Sequence, residues 1–238
     1  MRDIFEIIHD RQSCRVPFDP KRCVSAHDLL QILEAARWAP TAHNMQNFEI
    51  ILIDDQATLA AVGNIRTLLS ETFIRENYAQ LAFSESELLQ KKTGLLASMF
   101  PASWWNPNAK PEEVSDPQHS FLGSSLQDGP TLLIVIYDAR KRAPASAGDT
   151  LGFMSLGGVM ENMWLTAETL GVAMQVLSVF SGEQVEDHLH RILGIPDYMK
   201  IAFACRLGYP VVADKHLRVR RDVREFTHHN RYGNYRLR

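Results

Sequence analysis

Cysteine is scarce in this chain: Cys14, Cys23 and Cys205 are its only three, far apart and without a CxxC pair. That excludes a disulfide frame and fits a reducing compartment, so a cytoplasmic location is expected. No GxGxxG follows a strand-like run and no phosphate-binding P-loop is present, which leaves a Rossmann site and an NTPase unsupported. A GxSxG elbow is also missing. The histidines lack metal-ligand spacing: neither His188 with His190 nor His228 with His229 puts two rings on one helix face, and no metal is expected. An excess of either sign of charge is lacking too. A net charge of -3 over 238 residues gives no case for a nucleic-acid or anionic-membrane partner, so a small molecule is expected. MRDIFEIIHDR at the start mixes acids with apolar residues and has no long apolar run, so no secretory signal is expected. No linker-like run or repeat divides the chain, and 45% hydrophobic content suffices for one large core. A single domain over residues 1–238 is expected.

What is present centres on Asp149 to Gly171, DTLGFMSLGGVMENMWLTAETLG. Between an N-cap Asp149 and a C-cap Gly171, residues Leu151, Met154, Val159, Met163, Leu165, Ala167 and Leu170 occupy more than one stripe, which predicts a helix buried all round. Glu161, Asn162 and Glu168 interrupt it and argue against a membrane span. Gly152, Gly157 and Gly158 would admit another backbone. Two readings follow, a central core helix or a helix packed on its own copy in a dimer.

Around that helix the chain alternates. Ile4, Ile7 and Ile8 predict a short helix. Ser25 with Asp28 starts a second, with a Val24–Leu29 staple and Leu29, Leu30, Leu33 and Ala36 on its buried face; Pro40 ends it. Phe48 to Asp54, Thr131 to Asp138, Val172 to Val179 and Met199 to Gly208 read as strands. A short helix spans about 56–62, closed by Gly63, and another runs from a Ser181/Gln184 cap to Gly194. Residues 66–100 are mostly helical, with a start at Ser84 and Glu87. The Pro-, Asn- and Asp-rich stretch from Ala102 to Gly129 carries Trp104 and Trp105 and is long enough to be a lid or binding segment. The class is α+β or α/β, with a mixed sheet covered by helices. Beyond Pro210 the chain turns basic, without an apolar period of its own.

Chemistry has three candidate stretches. RQSCR groups Arg11, Ser13 and Arg15 at a helix end, where forked guanidinium donors and a hydroxyl suit a phosphate and a second electron-rich group; two arginines four apart are also common on a solvated face. PTAHNMQNF offers Thr41, Asn44 and Gln46 to the edge of a planar ring with carbonyls and ring nitrogens, or is simply a helix-to-strand turn. HLRVRRDVREFTHHNRYG is a basic segment or a solvated charged face. Cys14 reads as a packed thiol, because no paired base is evident.

Together these stretches resemble, in order along the chain, the nitroreductase-like family of FMN-dependent oxidoreductases. RQSCR is similar to that family's opening phosphate-binding segment, PTAHNMQNF to the segment after its second helix, GGVMENMWLTAETLGV to its central dimer helix and RVRRDVREFTHHNRYG to its closing arginine segment. The resemblance implies an interlocked homodimer with FMN at the interface and NADH or NADPH as reductant. It also implies a lid-like insertion at about 102–129 and an arm at about 210–238 that wraps the partner. On that resemblance Arg11 and Ser13 hold the phosphate and ribityl end, Gln12 between them also binds the cofactor, and Arg15 lies near the pyrimidine edge. Pro40, Thr41, Ala42 and Asn44 come from the second subunit, with Gln46 supporting their loop. Leu177, Ser178 and Val179 face the flavin ring, and Arg218 and Arg220 complete the phosphate site, with Arg221 a one-residue alternative. Trp104 and Trp105 either form an aromatic lid on the open flavin face or pack against the partner subunit. The acceptor implied is a nitroaromatic, quinone or enone. The same scaffold also admits oxygen chemistry, halide removal, or a non-catalytic flavin-binding regulatory dimer. In this chain Asn47 and Phe48 stand where many members have Pro and Trp.

Overall fold

Strands β1 (Phe48–Ile53), β2 (Thr131–Asp138), β3 (Ala173–Leu177) and β4 (Met199–Gly208) form one sheet in the order β1-β2-β4-β3. The computed structural model describes residues 2–65, 84–91, 125–126, 131–144, 146–177, 180, 182–213 and 218–235. Every named strand pairing among them is antiparallel. The parallel component of the expected mixed sheet is a single bridge, Ser13 to Met174, on the outer side of β3. By internal contacts the chain forms two compact units, Met1–Thr67 with Pro117–Asp214, and Leu68–Asp116 with Lys215–Arg238.

Helices cover both faces of the sheet in the first unit. Along β2 the side chains alternate: Leu132, Ile134 and Ile136 join Leu59, Val62 and Leu189 on one face, and Leu133 joins Ile32, Val159 and Met163 on the other. The first face is covered by α3 (Gln56–Gly63) and α6 (Glu183–Leu193). The second is covered by α2 (Ala26–Arg37) and α5 (Thr150–Thr169), and α1 (Ile4–Asp10) packs on α5. Because β2 lies between two layers it is apolar without a break, and its predicted limits match those observed.

Capping chemistry sets several helix ends. The Ser25 hydroxyl accepts the Asp28 N–H at 3.0 Å, and Val24 and Leu29 are both buried beside it. The buried stripe of α2 is Leu29, Ile32 and Ala36; Leu30, expected inside, is 67% exposed, because at 100° per residue it falls off the i, i+3, i+7 face. Asp55 caps α3 through the Thr58 N–H. α6 starts after Gly182, one residue later than the expected Ser181 cap, and ends at Gly194 with φ +66°. β3 is shorter than the expected strand: Val172 belongs to the turn after Gly171, while Ser178, Val179 and Ser181 lie outside the described residues.

Within a single chain α5 is not buried all round. Gly152, Ser155, Leu156, Val159, Met163 and Ala167 are buried, whereas Phe153 is 55% and Met154 67% exposed. Asp149 precedes the helix but caps no N–H through its carboxylate, which instead fills the space above Gly152. No helix among the described residues is long and apolar enough to cross a membrane.

In the second unit, helix α4 (Glu85–Lys91) begins with the expected capping box: Glu87 accepts the Ser84 N–H at 2.8 Å and Ser84 accepts the Glu87 N–H at 3.3 Å. The tail holds a 3-10 turn at Val223–Glu225, capped by Asp222, and stacks His228 against Tyr232 and Tyr235 at 4.5 and 4.6 Å.

Candidate functional site

RQSCR leaves α1 in extended form and runs beside β3. The Cys14 N–H donates to the Met174 carbonyl at 3.0 Å, Ser13 bridges Met174, and the Trp164 indole N–H of α5 donates to the Gln12 carbonyl at 3.3 Å. Cys14 points into the core at 3% exposure, so it is a packed thiol. The alternation of an extended chain then turns Ser13 and Arg15 the other way. Both are half-buried, and Arg15 Nη1 reaches back to the Ser13 carbonyl at 3.4 Å. The Arg11 guanidinium lies over the Trp164 ring at 4.4 Å, its Nε 3.7 Å from Glu161. Leu177, fully buried, ends β3 three residues beyond the Met174 bridge, about 10 Å along the strand.

PTAHNMQN is held by the N-terminal half of α5. Pro40 sits over Gly158, whose missing Cβ would lie 3.6 Å from the proline ring, and the Ala42 N–H donates to Ser155 Oγ at 2.9 Å. Ser155 in turn donates to the Leu151 carbonyl at 2.7 Å. Directly after these anchors His43, Asn44 and Gln46 all take positive φ, +52°, +53° and +43°. Three left-handed residues other than glycine in four positions are uncommon, and such strain collects at ligand-binding loops. The conformation is fixed from within by Thr41 Oγ1 accepting the Gln46 N–H at 3.2 Å and Asn44 Oδ1 accepting from Gln46 Nε2 at 3.0 Å.

The structure thus brings Arg11, Gln12, Ser13, Arg15 and Leu177 together along β3, and Pro40, Thr41, Ala42, Asn44 and Gln46 together on α5. Arg218 and Arg220 belong to the second unit, where both are exposed and Arg220 Nη1 donates to the Val219 carbonyl at 2.7 Å. Trp104, Trp105, Ser178 and Val179 lie outside the described residues. The donor set suits a phosphate-bearing planar heterocycle: forked cations and a hydroxyl on one segment, amide and hydroxyl groups on the other. Among the described residues no group of histidine, cysteine and acid side chains could hold a metal ion.

Sequence reading passed over Ser155, Trp164 and Arg206, which position these segments. Arg206 alone carried a signal, a charge inside the apolar strand FACRLG. It is 3% exposed and donates to Gln175 Oε1 at 2.7 Å and to the Val16 carbonyl at 2.9 Å. Burial also pushes the neighbouring Cys205 thiol up to about 12.

An antiparallel sheet sandwiched between helical layers, with an extended arginine-bearing segment beside its edge strand, defines a mixed α+β fold shared with nitroreductases. The chain belongs to the nitroreductase family, whose profile matches residues 8–209. It is 24% identical over 210 residues, 88% of this chain and 87% of the relative, to a protein of Archaeoglobus fulgidus provisionally named NADH dehydrogenase/NAD(P)H nitroreductase. Its fold matches that of an FMN-dependent nitroreductase from Clostridium difficile, with a TM-score of 0.62, 16% identity, and 96% of this chain and 99% of that one covered. A nitroreductase with bound FMN from Desulfitobacterium hafniense matches with a TM-score of 0.59 and 19% identity, covering 96% and 98%.

Proposed function

We propose that this chain is an FMN-dependent oxidoreductase that draws hydride from NADH or NADPH and delivers it to a small acceptor such as a nitroaromatic, quinone or enone. Membership of the nitroreductase family supports the class. The observation that carries the site is the extended Arg11–Arg15 segment hydrogen-bonded along β3, ending beside the strand terminus at Leu177. When bound, the flavin supplies the redox chemistry at its N5. Arg11, Gln12 and Ser13, with Arg218 and Arg220, bind the phosphate end. Arg15 sets a positive charge at the pyrimidine edge, where it favours the anionic reduced ring. Leu177, Ser178 and Val179 form the wall behind the ring.

The working unit is a homodimer in which Pro40, Thr41, Ala42 and Asn44 reach the second subunit's flavin, held in shape by Gln46. The open side of α5 at Phe153 and Met154 supports that pairing. Residues 210–238 serve as the arm around the partner, and about 102–129 as a lid whose Trp104 and Trp105 cover the flavin. Purified protein should show a flavin absorption spectrum that bleaches on anaerobic addition of NADH or NADPH. A colourless protein that takes up no added FMN overturns the reading. Bound FMN without turnover on any acceptor would instead mark a regulatory dimer. Trp104→Ala and Trp105→Ala should raise KM for aromatic acceptors; unchanged kinetics in both removes the lid.

A further inference from the structure

Arg206 holds the chain directly after the Arg11–Arg15 segment, at Val16 and Phe18. Its Nη2 donates to the Val16 carbonyl, directly after Arg15, and its guanidinium lies 4.3 Å from the centre of the Phe18 ring. Two residues on, and so on the same face of β4, Gly208 leaves room for that ring: a Cβ there would lie 2.5 Å from Phe18 Cδ2. Phe18 also bridges Pro210 and is 1% exposed. Positions 206, 208 and 210 therefore grip residues 16–18 from one side, while Met174 grips 13–14 from another. The same guanidinium donates through Nε to Gln175, next to Met174 on β3, and through Nη1 to the Ser125 carbonyl at 3.0 Å. Its planar fork matches acceptors in three directions, which a lysine cannot do.

We propose that Arg206 is a positioning residue for the cofactor. It fixes the register of the Arg11–Arg15 segment against β3, and through Ser125 it ties that segment to the chain that leads into β2. The proposal rests on the flavin reading above. It is tested by diluting FMN-loaded wild type, R206K, R206M and G208A well below their melting temperatures and following the recovery of free FMN fluorescence. Release should be about tenfold faster from R206K, the scale of one lost charge-assisted hydrogen bond, and faster still from R206M. G208A should also release FMN faster, because it displaces Phe18 while leaving every proposed FMN contact in place. Release at the wild-type rate from folded R206K and G208A overturns the assignment, however far the melting temperatures fall. If R206M does not fold, those two variants decide. Wild type that never binds FMN overturns the flavin reading and the proposal with it, a result distinct from equal release rates.

Discussion

Replacing Ser155 by alanine removes one oxygen, but that oxygen is all that ties the Ala42 N–H to α5. Ser155 is 7% exposed, so the orphaned amide must either stay dry or pull away toward water, at a cost of about 1–3 kcal/mol. His43, Asn44 and Gln46 hold the opposing term. Each left-handed residue costs on the order of 1–2 kcal/mol, so the three together store more than this one anchor supplies, and the Gln46 hydrogen bonds to Thr41 and Asn44 help to hold the turn. Loss of the anchor should therefore let residues 41–46 relax, recovering part of the penalty and confining the damage to the loop. The global cost should settle near 1–2 kcal/mol, which for a chain of this size lowers Tm by roughly 3–6 °C. Hydrogen exchange should accelerate at 41–46 by about tenfold or more while β2 and β4 stay protected. Ser155→Thr, which keeps the hydroxyl, should exchange more slowly there than the alanine variant. An alanine variant with wild-type Tm and wild-type protection at Ala42 would refute the account of the loop as strained and anchored.

Three further outcomes follow from named contacts. Two hydrogen bonds from the Arg140 guanidinium hold the Asp138 carboxyl at about 2, below its ordinary 3.8. Its contribution is full above about pH 4 and is lost as pH falls through 2, so the urea-midpoint gap between wild type and Asp138→Asn should be flat at neutral pH and close from pH 4 to 2; a gap that persists at pH 2 refutes it. Met163, fully buried between α5, α2 and the sheet, should cost about 2–5 kcal/mol as Met163→Ala, read from urea unfolding, and a loss below 1 would mean the core refills the cavity. Thiol labelling of folded protein at pH 8 should modify exposed Cys23 rapidly and buried Cys14 and Cys205 only on unfolding; fast labelling at more than one site contradicts the packing.

Strands and caps were legible because their signals are local. β2 and β4 are apolar runs bounded by turn residues, and Ser25, Ser84 and Gly194 act on atoms within four residues. Which side of α2 faces inward was misjudged at Leu30, since an apolar residue beside the stripe looks the same as one in it. α5 reads as buried all round because its apolar residues occupy more than one stripe, while the chain covers only the Val159 and Met163 side and leaves Phe153 and Met154 exposed. The candidate segments stand out by their residue types, but what holds them does not. Ser155 and Trp164 are ordinary helix residues, and their roles arise from partners 113 and 152 positions away. Arg206 was visible as a charge in a strand, yet nothing near it in sequence announces Val16 or Phe18.

The grip of Arg206 on Val16 spans 190 residues, and that separation has a meaning for how the protein is made. On a ribosome adding roughly 5–20 residues per second, the RQSCR segment waits about 10–40 s before β4 exists to receive it. For most of that interval Cys14 has no Met174 to pair with, and Phe18 has no Gly208 to lie against until β4 is made. The nascent chain must carry the proposed cofactor segment without its Arg206 grip until β4 arrives, so that grip is timed by the completion of β4, not by the emergence of Arg11 and Arg15 themselves.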